Sequence, residues 1–339
     1  MPPAATLTTV PLLPVAVRGT GSVTGSSVVT SASLDELHGR PAGTTQSRSG
    51  VTSRPWVSPG QTSSTMAADA IRLALASADA EAADLDAVIV AAAVTEQPMP
   101  TTAMLTLGHL GIEGTNTVAF DVNASCLGFL AAFDVAALGI AAGRWRRVAV
   151  AATDIASVGL DHTDVDSSAL FGDGAGAVVL ERADAGQGIL AIRWETFPSG
   201  SGLCGNPAGG TRWNVSNPPE RPSAYLFHMQ GMGLTRLATK HLPRLVAETL
   251  DEAGLTAADI DVVIPHQASS LGMRYARERL GLHADKVVDI LADHGNQVSA
   301  SLPTALDHAV RTGRLGAGRT ALLLGTGAGV ARAAMVLRT

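Results

Sequence analysis

Continuous apolar runs alternate along this chain with stretches of helical spacing, and the alternation predicts most of its elements. VAVRGTG at 15–21 reads as a first strand entering a turn, after a loose tail over 1–13. Residues 22–64 are rich in Ser, Thr, Gly and Pro and read as loops around one short helix at 34–38. Apolar positions recur at helical spacing over 66–77, and DAVIVAAA at 86–93 is apolar without a break. Such a run suits a strand covered on both faces, as in a parallel sheet. The same reading gives strands at 117–122, 147–152 and 175–180, with a long apolar helix at 127–142. Further along it gives a helix at 233–253, strands at 261–265 and 287–291, a helix at 301–312 and strands at 320–324 and 333–337.

The second half repeats the first. ADLDAVIVAA (83–92) matches ADIDVVIPHQ (258–267), and RRVAVAAT (146–153) matches GRTALLLG (318–325). The offset is about 170–175 residues in both, a sign of internal duplication. The expected fold class is therefore α/β, with two halves over 1–185 and 186–339. Ligand sites in such sheets lie beyond the carboxyl ends of strands. Cys126, His266 and Asn296 all fall just after predicted strands, which is a structural reason to place them in one site.

Composition narrows the function. The chain of 339 residues is 46% hydrophobic and only 4% aromatic, so Ala, Val and Leu must fill its core. A net charge of -6 argues against nucleic acid as a partner. Two cysteines, Cys126 and Cys204, demand no disulfide, and a reduced, cytoplasmic setting is expected. The start lacks the basic region of a signal peptide, and no uninterrupted apolar run is long enough for a membrane span.

Cys126 lies between a strand and a long helix. Unpaired N–H groups and the dipole of a helix N-terminus favour thiolate, the nucleophilic form, so a lowered thiol pKa is expected. Taken alone it could equally be a small buried hydrophobe. His266, in PHQAS, could exchange protons near neutral pH, yet alone it reads more readily as a histidine bonding a loop carbonyl. Asn296, in HGN, reads alone as a turn residue. GDGAG (172–176) and GTGAG (325–329) look like phosphate-cradling loops, but each enters a strand-like run, and a dinucleotide site needs a helix there. GDGAG is read as a tight turn, and GTGAG as a loop that can bring N–H groups to a ligand. Cys204, in SGLCGNP, reads as a loop cysteine, and no His/Cys spacing supports zinc.

Together AFDVNASCLGF (119–129), FGDGAGAVVL (171–180), VIPHQAS (263–269), HGNQVSAS (294–301) and the final GTGAG resemble the ketosynthase III family. These are the 3-oxoacyl-carrier-protein synthase III enzymes of the thiolase superfamily. The resemblance runs from about residue 15 to the end. It implies a thiolase-like αβαβα layering and a Cys126–His266–Asn296 triad. It also implies an oxyanion hole from the main-chain N–H groups of Cys126 and Ala328, and no cofactor or metal. Cys126 would take an acyl group from a thioester of coenzyme A or of an acyl carrier protein. Decarboxylation of a malonyl thioester would then supply the attacking carbon. The family is homodimeric, with an acyl pocket capped from the partner subunit; Met99 aligns with that cap. Thr326 stands where a bulky aromatic usually faces the same pocket.

The departures are informative. The Trp and Arg that clamp adenine in many members align with Thr44 and Val165, so that clamp is expected to be missing. Arg48 is retained, Arg236 matches one carrier-binding residue, and Leu271 stands where another would be. Arg274, Arg277 and Arg279 lie close by. These changes suggest a specialised polyketide or fatty acyl role and a carrier-bound donor. The alternative activity is transfer of the acyl group from Cys126 to a hydroxyl or amine; an intact Asn296 favours condensation.

Overall fold

The protein is described by a computed structural model covering residues 13–183 and 186–339. The tail expected over 1–13 lies outside these residues except for Leu13, which bridges Ile189. Residue 185, the expected end of the first half, also lies outside them.

Two sheets form the frame. The first has strand order Val15–Thr24, Gly174–Arg182, Arg147–Asp154, Ala87–Ala91, Val118–Val122. Its last three strands run parallel, and Gly174–Arg182 runs antiparallel to both neighbours. The second sheet has the order Val262–Pro265, Thr320–Gly327, Ala331–Arg338, Gly188–Thr196. Its pairings follow the same scheme, parallel at the Val262 end and antiparallel beyond.

Alternation along each strand produces the layers. Ala87, Ile89 and Ala91 face a central core, while Val88 and Val90 face outward beneath helices Ser63–Ser77 and Thr102–His109. On the second sheet Val262 and Ile264 face the same central core. Val263 faces the opposite side, where helices Leu242–Glu252 and Ser270–Arg279 pack. Helices Gly128–Ala141 and Ser301–Arg311 fill the centre. The result is helix, sheet, helix, sheet, helix. The parallel strands Ala87–Ala91 and Val262–Pro265 are buried on both faces, which is why they read as unbroken apolar runs, whereas Val118–Val122 at the sheet edge is only partly covered.

Several expectations need correction. The helix expected over 233–253 is two helices, Gly231–Thr239 and Leu242–Glu252. Pro243 opens the second one; proline has no N–H and suits the first turn of a new helix, not the middle of a long one. The strand expected at 287–291 shrinks to one parallel bridge, Val263 to Val287, and Leu291–His294 is a short helix. The supposed loops over 22–64 contain the paired strands Ser27–Thr30 and Ser53–Trp56 and helices Ser31–Leu37 and Thr44–Ser49. Among the described residues, no helix is long and apolar enough to cross a membrane.

Candidate active site

The site gathers where strands of both sheets end. After Val118–Val122 the chain turns tightly. Asn123 Oδ1 accepts the Ser125 N–H at 2.9 Å, and Asn123 Nδ2 donates to the Ala93 carbonyl at 3.1 Å. Ser125 takes a left-handed φ of 51°, a conformation costly for serine that the Asn123 bond helps hold. Cys126 follows, two residues ahead of helix Gly128–Ala141. The main-chain N–H groups of Cys126 and Ala328 act on the sulfur to lower its pKa.

The expected lowering of the thiol pKa is overturned. Burial pushes it up to about 12, and the negative charge of Asp154 and the Cys204 thiol add to the effect. The two N–H groups oppose this without reversing it. The residue keeps partial exposure. A substrate can thus reach a thiol that is protonated at rest, and the helix-terminal field alone does not set its state.

His266 ends strand Val262–Pro265 and is 5% exposed. Burial lowers its pKa to about 4, so the imidazole is neutral near pH 7. Its Nδ1 has no protein partner. A neutral imidazole can donate one N–H to a developing negative charge without first losing a proton. Gln267 is wholly buried and locks this turn. Its Nε2 donates to the carbonyls of Pro265 and Val288, and its Oε1 accepts the Ile290 N–H.

Asn296 is tied to the same turn: its Nδ2 donates to the Ala268 carbonyl at 3.1 Å, and its Oδ1 accepts the Val298 N–H at 2.8 Å. One amide hydrogen stays free for a ligand. Gly325 joins these groups to the nucleophile's turn. A Cβ there would stand 2.9 Å from Leu127 Cδ2 and 3.0 Å from His266 Cβ, so only glycine lets the three segments close up.

The FGDGAG stretch was expected to be a tight turn and is not one. Phe171 bridges Asn296, the Gly172 N–H donates to the Asn296 carbonyl at 3.1 Å, and the Asn296 N–H donates to Leu170 at 2.9 Å. A Cβ on Gly172 would lie 2.1 Å from the His294 carbonyl oxygen. The motif is a seam between the halves, small enough for two backbones to touch. Cys204, expected in a loop, is buried in a two-residue strand.

The remaining expected residues lie around this centre. Met99 is 81% exposed on the loop before helix Thr102–His109. Thr326 is half-buried at the end of strand Thr320–Gly327. Arg48 is exposed and 3.5 Å from Asp166. Arg236 is exposed on Gly231–Thr239; Arg274 and Arg277 lie on Ser270–Arg279, with Arg277 paired to Asp289. The Tyr275 hydroxyl donates to the Thr239 carbonyl, so the Arg236 and Arg274 helices adjoin. Gly50, at the end of the Arg48 helix, abuts Ser270. Among the described residues, no group of three or more His, Cys, Asp or Glu is placed to hold a metal. Two residues that sequence reasoning missed, Asp154 and Ser299, sit between the Cys126 and Asn296 segments. The one available signal was an aspartate closing an apolar strand.

Solved structures give the class first. 3-Oxoacyl-(acyl carrier protein) synthase III from Pseudomonas aeruginosa PAO1 matches with a TM-score of 0.87 and 31% identity, covering 96% of this chain and 98% of that one. The priming β-ketosynthase from the R1128 polyketide biosynthetic pathway matches with a TM-score of 0.87 and 31% identity, covering 95% of each. The fold is thiolase-like. The sequence then gives the family. Residues 120–198 match the profile of 3-oxoacyl-[acyl-carrier-protein (ACP)] synthase III, and residues 250–339 match the profile of its C-terminal region. The Beta-ketoacyl-[acyl-carrier-protein] synthase III of Caldanaerobacter subterraneus subsp. tengcongensis is 33% identical over 322 residues, 95% of this chain and 97% of that protein. The chain belongs to the 3-oxoacyl-[acyl-carrier-protein] synthase III family and is an acyltransferase.

Proposed function

We propose that this enzyme takes an acyl group onto Cys126 and condenses it with a malonyl thioester, releasing carbon dioxide and a 3-oxoacyl thioester. The observation that carries the reading is the close approach at Gly325, which brings His266 against Leu127 in the turn of Cys126, with Asn296 tied to the His266 turn through the Ala268 carbonyl. Cys126 Sγ attacks the acyl carbonyl, and the carrier leaves as its thiol. The main-chain N–H groups of Cys126 and Ala328 receive the oxyanion of each tetrahedral intermediate. Loss of carbon dioxide from the malonyl group leaves an enolate. His266 and the free amide hydrogen of Asn296 stabilise its oxygen, and its carbon attacks the acyl-enzyme carbonyl, breaking the thioester bond and expelling Cys126 as thiolate, which takes up a proton from solvent. A neutral imidazole serves this step well because it gives a hydrogen bond and keeps its proton.

A carrier-bound donor is part of the proposal. Arg48, which would meet the phosphates of coenzyme A, is engaged by Asp166, and Thr44 and Val165 offer no adenine clamp. Arg236 and Arg274 on adjoining helices suit an acidic carrier surface. The likeness to a priming synthase of a polyketide pathway supports a specialised role. A homodimer is also proposed. Val118–Val122 is an edge strand of the first sheet, and near it Val94, Met99 and Met104 are exposed by 62%, 81% and 50%. Through such an edge Met99 would reach the partner's acyl pocket.

Intact-protein mass spectrometry tests the core reading. The enzyme is offered one acyl group on coenzyme A and on carrier protein, then chased with malonyl-carrier, an alcohol or an amine. Discharge only by the malonyl thioester supports condensation. Discharge by the alcohol or amine supports transfer. A faster charge from coenzyme A overturns the carrier-bound donor.

A further inference from the structure

Asp154 closes strand Arg147–Asp154 and is 3% exposed. Burying a carboxylate is costly unless donors meet it, and four do. Its Oδ1 accepts the N–H groups of Ala93 at 2.9 Å and Val94 at 3.3 Å. Its Oδ2 accepts the Ser299 N–H at 2.9 Å and the Ser299 hydroxyl at 2.5 Å. Every partner is a donor. The set suits an ionised carboxylate, and protonation would leave one donor facing a hydrogen.

The two oxygens hold different parts of the site. On the Oδ1 side, Ala93 also receives Asn123 Nδ2, and Asn123 Oδ1 receives the N–H of Ser125, the residue before Cys126. On the Oδ2 side, Ser299 follows Val298, whose N–H donates to Asn296 Oδ1. One carboxylate therefore ties the turn of the nucleophile to the segment of the asparagine, which come from opposite halves of the chain. Its charge also reaches the Cys126 sulfur, where it disfavours thiolate.

We propose that Asp154 is a positioning residue of the condensing site. It holds Asn296 in register with the Cys126 turn through Ser299, Ala93 and Asn123. The proposal rests on the reading of Cys126 and Asn296 given above. It explains why a carboxylate is buried where the two segments meet.

The test compares wild type with Asp154→Asn, Ser299→Ala and Cys126→Ala. Three quantities are read: iodoacetamide alkylation of Cys126 against pH, formation of the acyl-enzyme by intact mass, and the rate of condensation. Asp154→Asn keeps the size and turns an amide N–H toward one of the donors. It should still form the acyl-enzyme and should condense at least about tenfold more slowly. Ser299→Ala removes one donor and should slow condensation in the same way, with alkylation of Cys126 unchanged. A purely structural aspartate gives another pattern, in which alkylation, acylation and condensation fall together. Condensation at the wild-type rate in Ser299→Ala overturns the positioning role, and that variant answers the question if Asp154→Asn does not fold. Acylation of Cys126→Ala would instead overturn the assignment of the nucleophile, independently of Asp154.

Discussion

The two halves share one frame and differ where it matters. Helix Gly128–Ala141 and helix Ser301–Arg311 are equivalent central helices, and each is preceded at two residues' distance by a small polar side chain. In the first half that residue is Cys126, and in the second it is Ser299. Cys126 is part-exposed, whereas Ser299 is wholly buried and its hydroxyl gives its hydrogen to Asp154. The strand leading to each helix differs in the same sense. Val118–Val122 is a full strand, and its counterpart is the single bridge at Val287. Shortening that strand frees the chain before Ser301 to hold Asn296 beside His266. The two sheets thus present two equivalent strand ends, and the proposed reaction would use each differently.

Cys126→Ala should give the largest effect, abolishing the acyl-enzyme in intact-protein mass spectra. Ser299→Cys, which puts a thiol at the equivalent place in the other half, should acquire no acyl group under the same charge. Labelling at residue 299 would break the contrast between an open position and a clamped one.

Asn296→Ala should leave acylation within about threefold and cut decarboxylation of the malonyl thioester by about a hundredfold or more, the usual cost of losing one oxyanion donor. Carbon dioxide release from the pre-acylated enzyme measures it. An equal loss in both steps would show that Asn296 serves the fold and not the enolate.

Gly172→Ala strikes the seam. With a Cβ 2.1 Å from the His294 carbonyl, two backbones must part. The expected cost is about 3 kcal/mol, the upper part of the range for overpacking. Gly108→Ala, in helix Thr102–His109 with nothing within 4 Å of the new carbon, should be neutral or stabilising. Urea denaturation of the two variants compares them directly.

The smallest effect concerns pH. The pKa of His266 falls from its usual 6.5 to about 4 in the fold. As pH drops through 6.5 the unfolded chain takes up a proton that the folded one refuses until about 4, so stability is lost across that window. The bound on this loss is about 3 kcal/mol. Asp154, raised to about 6, acts in the opposite direction over 6 to 3.8. That contribution is common to wild type and His266→Gln and cancels in their difference. The variant should therefore gain on wild type as pH falls from 7 to 4.5, read from denaturation midpoints. A constant difference would place a solvated imidazole at 266.

Much of this was legible in the sequence, for physical reasons. Strands covered on both faces show as apolar runs, so Ala87–Ala91 and Val262–Pro265 were found. Gly188–Thr196 was missed because IRWET is half exposed and breaks the run. The helix at 233–253 was read as continuous because its apolar spacing persists across Pro243. The three residues proposed for the site, Cys126, His266 and Asn296, were read from motifs at strand ends. The thiol's raised pKa could not, because it comes from burial and from a carboxylate brought in by folding. Asp154 stayed hidden for a related reason: its partners come from 61 and 145 residues away, and no local pattern records them.

The seam at Gly172 bears on how the enzyme turns over. The halves are stitched there by main-chain hydrogen bonds in both directions between Leu170–Gly172 and Asn296, beside a carbonyl in contact range. A joint tied in both directions resists hinging between these two segments. Catalysis on this frame should be insensitive to solvent viscosity wherever chemistry, and not diffusion of the carrier, sets the pace.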